Sequence, residues 1–563
     1  MTPNPTNSGQ AVTHQIEAYR SPETPASRGP RIADLVEAAA AGVPEAPALI
    51  VAAERTPIAY RDMVRLADDL AGQLVAAGLR PGDRVALRAG SNAEFVIALL
   101  AASRAHLVVV PLDPALPVHE QGARCQAAGA RALLVDGAAR DDGEEPSIRS
   151  WPVAVRVGPD GSAADSPLSV HLGPVTEPHP VTSTPDGLRA DDAMIMFTGG
   201  TTGSPKMVPW THANIATSVR AIIAEYRLGP QDATVAVMPL YHGHGLIAAL
   251  LSTLASGGAV LLPAGGRFSA RTFADDMDAV GATWYTAVPT IHQILLERLR
   301  SESGSEPARA KRASLRFIRS CSAPLTAETV LALQREFSAP VLSAFGMTEA
   351  THQVTTTGIE GSRDGANPAS GASLALSPGL VGHSTGPQVA IVGSDGVTQP
   401  AGAIGEIWLR GATVVRGYLG DPAITAANFT NGWLRTGDLG TLSKAGELSI
   451  RGRIKELINR GGEKISPERV EGALAGHPGV MEVAVFGVPD PIYGESVAAV
   501  IVPRAAASPT LEELQEFCRD RLAAFEIPAS FQEAGELPHT AKGSLDRRAV
   551  AELFGRQPQQ SHS

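Results

Sequence analysis

Cysteine is scarce in this sequence of 563 residues. The chain contains three, Cys125, Cys321 and Cys518, and their wide spacing matches neither a disulfide framework nor a zinc site. This excludes the class of small, disulfide-stabilised secreted domains. We expect a cytoplasmic location, where thiols stay reduced.

The chain also lacks an excess of positive charge. Its 47 Lys and Arg residues face 58 Asp and Glu residues, which gives a formal net charge of -11. Surfaces that bind nucleic acids or anionic membranes need basic patches to neutralise phosphate groups. We therefore expect no nucleic-acid partner.

Long apolar runs are missing as well. The least polar segment, residues 245–266, is uncharged but interrupted by Ser, Thr, Pro and Gly, a pattern typical of a buried helix and strand rather than a membrane span. The first 15 residues, MTPNPTNSGQAVTHQ, contain no basic region followed by an apolar stretch. We predict neither export nor stable membrane insertion.

The chain does have enough apolar residues, 44%, to build at least two domains. Strand-like and helix-like runs alternate, as in VALRAG, AEFVIALLAASRA and LVVVPLDP, which predicts a largely parallel α/β sheet. Short strands separated by Gly turns follow between residues 381 and 453, and the chain beyond has an α+β pattern. We predict disordered tails at 1–30 and 557–563, a large N-terminal domain at 31–453 and an α+β C-terminal domain at 454–556.

A loop rich in glycine follows the apolar run AMIMF. Residues 198–206, TGGTTGSPK, combine three glycines, four hydroxyl side chains and one lysine. Glycines let backbone N–H groups approach an anion, and a lysine adds a positive charge for phosphates. The spacing differs from a Walker A loop. The pattern favours a phosphate-binding loop, and an ordinary flexible loop is the alternative.

Together with three further motifs, this loop resembles the adenylate-forming acyl-CoA synthetases and luciferases. The motifs are FGMTEA at 345–350, RTGD at 435–438 and GRIKELINRGGEKISP at 452–467. The resemblance covers about residues 32–553. It implies a large N-terminal AMP-binding domain of two α/β subdomains plus a β-barrel, a small mobile α+β C-terminal domain, and the use of ATP, Mg²⁺ and coenzyme A.

The resemblance also implies roles for individual residues. Glu349 would bind Mg²⁺, Thr348 the α-phosphate and Asp438 the ribose hydroxyls, while Lys455 would be the hinge between the domains. Gly461 and Gly462 would border the path of coenzyme A. The implied ATP- and AMP-binding residues are Thr198, Gly199, Gly200, Thr201, Thr202, Gly203, Lys206, Ser322, Ala323, Pro324, Phe345, Gly346, Met347, Thr348, Asp438 and Arg453.

The catalytic residues implied for adenylation are Lys206, Thr348, Glu349 and one lysine of a C-terminal LPxTxxGK motif. In this chain the motif reads LPHTAKGS, so that Ser544 stands at the lysine position and Lys542 lies two residues earlier. Residues two apart on an extended segment share a face. We hypothesise that Lys542 substitutes for the missing lysine, and a solvated loop charge is the alternative.

Histidines occur where the family forms its acyl pocket. The segment PLYHGHG carries His242 and His244, and His292 follows in VPTIHQ. A second carboxylate buried in such a pocket would need donors or a cation. The pattern resembles oxalate- and malonate-activating members of the family. We predict an acid–CoA ligase for a short dicarboxylate such as oxalate, with His242, His244 and His292 in the acyl pocket and His352 as a weaker candidate. For His292 and His352, an ordinary helix-cap or core histidine is the alternative.

Two other functions remain open at this point. Pocket residues outside the motifs would decide whether the substrate is instead a medium- or long-chain fatty acid. The departure at Ser544 also permits a weakly catalytic nucleotide-binding protein with a regulatory role. The sequence contains no signal for the oligomeric state.

Overall fold

The computed structural model describes residues 29–51, 53–136, 150–157, 168–173, 184–198, 205–302, 315–359, 379–504, 509–540 and 545–555. Most of both predicted tails and most of the predicted phosphate loop, Gly199, Gly200, Thr201, Thr202, Gly203 and Ser204, lie outside these ranges. Lys542 and Ser544 also lie outside them.

The first part of the chain alternates strands and helices as the apolar pattern predicted. Strand β3 is followed by helix α3 and then by strand β4, and both strands are buried throughout. The elements are α1 Ile32–Gly42, β1 Pro47–Val51, β2 Thr56–Ala59, α2 Tyr60–Ala76, β3 Arg84–Arg88, α3 Ala93–Arg104, β4 Val108–Leu112, α4 Val118–Ala128, β5 Ala130–Val135, β6 Ser150–Val157, β7 Leu168–Leu172, β8 Asp192–Thr198 and β9 Lys206–Thr211.

Seven of these strands form one sheet in the order β7-β6-β5-β3-β4-β8-β9. Its central pairs are parallel, and the pairs β6–β7 and β8–β9 at the two edges are antiparallel. Parallel strands are buried on both faces because crossover helices cover them. This confirms the predicted α/β class for the first part of the chain.

A second α/β region follows and contains the uncharged segment 245–266. The sequence pattern of that segment predicted a buried helix and a strand. The segment forms most of a buried π-helix, a short α-helix and a strand. The elements are α5 His212–Tyr226, β10 Ala233–Val235, the π-helix His244–Leu251, α6 Ser252–Ala255, β11 Ala259–Leu261, α7 Phe273–Val280, β12 Trp284–Ala287, α8 Pro289–Glu302, β13 Phe317–Ser320, α9 Ala327–Phe337, β14 Val341–Met347, the 3₁₀ helix Thr348–Ala350 and β15 His352–Thr356.

The β-rich part predicted before residue 453 continues the sheet of the second region. Strands β12, β13 and β14 pair in parallel, and from β14 onward the pairing is antiparallel. The strand order is β12-β13-β14-β15-β16-β21-β20-β18-β17, with β19 beside β20. The added elements are β16 Leu380–Ser384, β17 Gln388–Val392, β18 Gly405–Arg410, α10 Pro422–Asn428, β19 Phe429–Thr430, β20 Trp433–Leu442 and β21 Leu448–Arg453.

The C-terminal part has its own sheet, in the order β23-β22-β25-β24 with β26 beside β25. Alternate residues of the long hairpin β24–β25 point to opposite faces, and each face carries a separate apolar core. The elements are the 3₁₀ helix Ile454–Glu456, β22 Ile458–Arg460, β23 Glu463–Ile465, α11 Pro467–Leu474, β24 Val480–Asp490, β25 Gly494–Pro503, α12 Leu511–Arg519, β26 Ser530–Glu533 and α13 Arg547–Phe554.

Two local predictions about this part can be compared with the structure. Helix α12 begins with the predicted capping box, in which Thr510 and Glu513 bond to each other's backbone N–H groups. The predicted domain boundary at 453/454 falls between β21 and the 3₁₀ helix that follows, and it stays a prediction. Within the ranges described above, no helix is both long and apolar enough to cross a bilayer.

Candidate active site

Strands β8 and β9 form a hairpin that carries the predicted phosphate loop. Thr198 and Lys206 face each other as the last residue pair of the two strands, and the loop joins them. The ammonium group of Lys206 lies 4.6 Å from the centroid of the Tyr418 ring, a distance at which a cation is attracted to an aromatic face. The hairpin thus presents Lys206 beside Tyr418 at the end of the loop.

The FGMTEA motif forms the end of β14 and the 3₁₀ helix after it. The register between β14 and β15 shifts between Phe345 and Gly346. A Cβ atom on Gly346 would lie 1.8 Å from the carbonyl oxygen of His352, so that only glycine fits this backbone approach. The indole N–H of Trp210 donates to the carbonyl oxygen of Thr348 at 2.8 Å. The backbone of the motif is therefore held on one side by the close approach to His352 and on the other by the hydrogen bond from Trp210.

Glu349 is the central residue of that 3₁₀ helix and is buried, with 8% of its surface exposed. The Tyr418 hydroxyl donates to Glu349 Oε1 at 2.9 Å. Mg²⁺ in nucleotide sites is held by one or two carboxylates together with phosphate oxygens and water. Among the described residues no cluster of three or more His, Cys, Asp and Glu side chains could hold a metal by itself. A single buried carboxylate fits Mg²⁺ that arrives with a nucleotide.

Asp438 and Arg453 lie opposite each other on β20 and β21. Arg453 Nε donates to Asp438 Oδ1 at 3.0 Å, and Asp438 is buried. Burial raises the pKa of Asp438 to about 6; the negative charges of Glu468 and Glu456 act in the same direction, and Arg453 opposes them. The carboxyl group is therefore held in a position where its ionised form is disfavoured.

The predicted hinge and coenzyme A residues lie just beyond this pair. Lys455 is the central residue of the 3₁₀ helix Ile454–Glu456. Gly461 and Gly462 form the turn between β22 and β23, with φ angles of 59° and 95° that favour glycine. The Gly461 N–H donates to the carbonyl oxygen of Tyr493 at 2.8 Å, and a Cβ atom on Gly461 would lie 3.2 Å from the Tyr493 ring. All three residues lie on the chain segment that leads from β21 into the C-terminal sheet.

His244 belongs to a buried polar cluster that also contains Arg319. Arg319 is completely buried in β13, and all three of its side-chain nitrogens donate to neutral acceptors. Those acceptors are Tyr226 Oη at 3.0 Å, Gln353 Oε1 at 3.0 Å, Thr286 Oγ1 at 3.0 Å, His244 Nε2 at 3.1 Å and His352 Nε2 at 3.1 Å. Within the described part of the chain, Arg319 has no carboxylate as an ion-pair partner.

Both histidines of this cluster are neutral. Burial lowers the pKa of His244 and of His352 well below the usual value, and the positive charge of Arg319 lowers both further. Because a guanidinium only donates, the Nε2 atom of each ring accepts and the proton must sit on Nδ1. The two rings stack with their centroids 5.1 Å apart. The net charge of the cluster is thus the single positive charge of Arg319.

The cluster reaches the surface at Ser322. The Ser322 hydroxyl lies 3.3 Å from His244 Nδ1, while the residue itself is exposed. Its backbone has a φ of 76°, and Thr351 and His352 have φ angles of 51° and 80°. Such conformations are costly for residues other than glycine and occur often at functional sites. Three strained residues thus border the same group of polar side chains.

The structure places the other two predicted pocket histidines differently. His242 is half-buried, with its ring 4.8 Å from the Tyr241 ring. His292 is fully buried, and the Tyr285 hydroxyl lies 3.1 Å from its Nδ1; burial lowers the pKa of His292 to about 3. Tyr285 precedes Thr286 on β12 and points to the opposite face of the sheet. The His292 ring therefore meets β12 on the face opposite to Thr286, although it is close enough to His244 for a positive charge on it to lower the pKa of His244.

Of the C-terminal motif LPHTAKGS at 537–544, the structure describes residues 537–540, and the described chain resumes at Leu545. His539 and Leu545 pair as an isolated β-bridge, and His539 Nε2 lies 2.6 Å from Glu482 Oε1. The hydrogen bond to Glu482 raises the pKa of His539. Lys542 lies between these residues, outside the described ranges, and its substitution for the family lysine stays a prediction.

Two residues of this site were missed by the sequence argument. Arg319 interrupts the apolar run LRFIRS, and a charged residue inside a buried strand is the signal that could have identified it. Tyr418 lies in RGYLG and gives no comparable signal, because its contacts to Lys206 and Glu349 join residues that are far apart in the sequence.

Comparisons with known proteins agree with this geometry. The profile of the family described as AMP-binding enzyme matches residues 36–419, and that of the AMP-binding enzyme C-terminal domain matches residues 469–544. The oxalate–CoA ligase of Arabidopsis thaliana is 41% identical over 88% of this chain and 93% of that protein. The sulfoacetate–CoA ligase of Cupriavidus necator is 33% identical over 92% and 96%.

A solved structure extends the similarity to the whole fold. ATP-bound MatB from Rhodopseudomonas palustris matches with a TM-score of 0.76 and 28% identity, covering 93% of this chain and 99% of that one. The oxalate–CoA ligase of Saccharomyces cerevisiae is 40% identical over 65% of this chain and 64% of that protein. With a family profile over more than half of its length and these relatives, the chain belongs to the AMP-binding enzyme family and is an AMP-forming acid–CoA ligase.

Proposed function

We propose that this enzyme activates oxalate. One carboxylate oxygen of the acid attacks the α-phosphorus of ATP and releases pyrophosphate, which gives an acyl-adenylate. The thiol of coenzyme A then attacks the acyl carbon and releases AMP, which gives the thioester. Two relatives named as oxalate–CoA ligases, at 41% and 40% identity, support this choice of acid.

The observation that carries the proposal is the charge of Arg319. A buried guanidinium is stabilised when an anion balances its charge, and the described residues around Arg319 supply only neutral acceptors. The second carboxylate of a dicarboxylate would supply that anion. An alkyl chain would leave the charge of Arg319 unbalanced and could form no hydrogen bonds with the polar cluster.

The cluster also has donors for this carboxylate. Arg319 fixes the tautomer of His244, so that the ring proton lies on Nδ1, the atom nearest the exposed Ser322 hydroxyl. A carboxylate here would accept from the imidazole and the hydroxyl while it remains in the field of the guanidinium. The small size of oxalate would keep its other carboxylate close to the same exposed edge. Proposed roles for His242 and His292 in the acyl pocket stay predictions.

The nucleotide would bind along the motifs described above. Lys206 and the loop before it would contact the phosphates, Glu349 would hold Mg²⁺, and Asp438 would accept from the ribose hydroxyls. Bound Mg²⁺ would supply positive charge that offsets the negative charge of the phosphates. The other proposed contacts are those of Phe345 to adenine, Thr348 to the α-phosphate, Arg453 to the adenylate, and Gly461 and Gly462 to coenzyme A.

The test is acid-dependent release of pyrophosphate in the presence of ATP, Mg²⁺ and coenzyme A. Oxalate, malonate, sulfoacetate and octanoate are compared on one purified preparation, and the thioester is identified by mass. We expect the highest kcat/KM with oxalate and negligible turnover of octanoate. A kcat/KM for octanoate equal to or above that for oxalate would overturn the proposal.

A further inference from the structure

Tyr418 contacts two residues of the nucleotide site at once. Its hydroxyl donates to Glu349 Oε1 at 2.9 Å, and its ring face lies 4.6 Å from the Lys206 ammonium. The phenol O–H is the donor in this bond, because an ionised carboxylate only accepts. One side chain therefore binds a buried carboxylate through its edge and a cation through its face.

The backbone that carries Tyr418 is held in place on both sides. Arg416 forms two 2.6 Å bonds to the buried carboxylate of Asp192, and the Leu419 N–H donates to the carbonyl oxygen of Met207, the residue after Lys206. The ring position is therefore set by the same strand hairpin that carries Lys206.

The arrangement keeps two opposite charges apart. Lys206 and Glu349 form no ion pair in the described structure, although both contact Tyr418. Opposite charges attract, and the attraction between a lysine and a carboxylate is stronger away from bulk water. In a direct pair the Glu349 carboxylate would be less available to Mg²⁺, and the Lys206 ammonium would be less available to a phosphate. The hydroxyl bond uses only Oε1 of Glu349 and leaves its second oxygen for another ligand.

We propose that Tyr418 is a positioning residue that keeps Glu349 available to Mg²⁺ and Lys206 available to the phosphates of ATP. The inference rests on the roles proposed above for Lys206 and Glu349. It is independent of which acid the enzyme activates. The ring separates the two groups, and the hydroxyl orients the carboxylate.

The test is a binding measurement without acid or coenzyme A, so that a wrong choice of acid does not affect it. Binding of a non-hydrolysable ATP analogue is followed by titration calorimetry at a series of Mg²⁺ concentrations. Tyr418→Phe keeps the ring and removes the hydroxyl, and we expect about a tenfold rise in the Mg²⁺ concentration for half-maximal binding. Tyr418→Leu removes both contacts, and we expect a further loss of analogue affinity at saturating Mg²⁺.

Thr425→Val is the matched control, because it removes a backbone contact of Tyr418 but leaves the phenol in place. We expect a lower melting temperature and an unchanged Mg²⁺ dependence for this variant. The positioning role is overturned if Tyr418→Phe keeps the parent's Mg²⁺ dependence, or if Thr425→Val shifts it as much as Tyr418→Phe does.

Glu349→Gln, measured in parallel, separates this inference from the proposed metal role. One outcome is that Glu349→Gln raises the Mg²⁺ concentration for half-maximal binding while Tyr418→Phe leaves it unchanged. In that case the positioning role of Tyr418 fails and the metal role of Glu349 stands. If Glu349→Gln behaves like the parent, the metal role of Glu349 fails and the inference about Tyr418 fails with it. A shift in both variants supports both.

Discussion

At the scale of single residues, Arg319 explains why two histidines lie in the interior of this enzyme. A buried positive charge needs acceptors on all sides, and the neutral rings of His244 and His352 supply two of them. The charge in turn keeps those rings unprotonated, because a second cation close to the guanidinium would be repelled. The cluster therefore carries one net positive charge among neutral acceptors, and the proposed dicarboxylate would balance that charge.

A first prediction concerns Ser322, the exposed member of this cluster. Ser322→Ala removes one donor to the proposed second carboxylate, and we expect kcat/KM for oxalate to fall by about tenfold. The KM for ATP should stay close to the parent value, because the implied contact of Ser322 to adenine is made by its backbone. The melting temperature should also change little, because Ser322 is exposed. Steady-state kinetics with oxalate and with ATP as the varied substrate check this. An unchanged KM for oxalate would contradict a contact between this hydroxyl and the acid.

A second prediction concerns Lys542. If it supplies the positive charge during attack on the α-phosphorus, Lys542→Ala should slow adenylation about a hundredfold. Formation of the thioester from pre-formed acyl-adenylate should be unaffected. The two half-reactions are measured separately, with Lys444→Ala as the control for loss of an exposed lysine. Parent-like adenylation in Lys542→Ala would show that Lys542 is a solvated charge of the loop.

At the scale of secondary-structure elements, two glycines determine how site residues are presented. A Cβ atom on Gly245 would lie 2.3 Å from the carbonyl oxygen of Pro239, so glycine is required where the π-helix with His244 begins. Gly346 has the same role at the end of β14, where it lets the backbone pass close to His352. His244 and His352 therefore each lie beside a glycine whose backbone packs too closely against another backbone segment for a side chain to fit.

A third prediction follows for Gly346. Gly346→Ala would place a methyl group against backbone atoms that cannot move easily, and we expect a loss of about 3 kcal/mol or more in the free energy of unfolding. Gly72→Ala is the matched control, since Gly72 lies in helix α2 with open space around it. That variant should be more stable by about 0.5–1 kcal/mol. Equal stabilities in denaturant unfolding would refute the packing argument.

At the scale of the whole molecule, the junction between β21 and the C-terminal sheet gathers several charges. Arg453 pairs with Asp438 before the predicted boundary, and Arg547 of helix α13 pairs with Glu456, Glu468 and Glu471 after it. Glu456 lies within 3.9 Å of Arg453 across the predicted hinge. The C-terminal part thus brings carboxylates close to the proposed ribose acceptor. Any movement about Lys455 would change the electrostatic environment of Asp438.

A fourth prediction concerns the pH dependence of stability. The pKa of Asp438 is raised from 3.8 to about 6 in the folded protein, mainly by burial. Its protonated form favours folding, so the stability that it contributes is complete below about pH 3.8 and is lost as the pH rises through 6. Asp438→Asn keeps an acceptor for Arg453 without the buried charge.

We therefore expect Asp438→Asn to be more stable than the parent at pH 8 and no more stable at pH 4. Urea unfolding of both proteins at several pH values measures this difference. A difference that is independent of pH, or one that is largest at acid pH, would show that Asp438 is not a buried carboxyl with a raised pKa.

Much of the fold was predictable because local patterns and tertiary packing agree. The alternating apolar runs around α3 became buried parallel strands and a buried helix, and the capping box at Thr510 begins α12 as expected. His244 was predicted as a pocket residue from its motif alone, and the structure places it beside Arg319. For His292 the sequence left a pocket role and a core role open, and the structure places its ring beside the Tyr285 hydroxyl.

The sequence by itself determined the family, the α/β class and the order of the motifs, because these depend on short-range periodicity and on residues adjacent in the chain. Only the tertiary structure decided which distant side chains share a site. Arg319 meets His244 and His352 across three elements. Tyr418 meets Glu349, 69 positions away in the sequence, and Lys206, which is more distant still. Charge balance in a buried site depends on all neighbours in space, and sequence spacing does not report them.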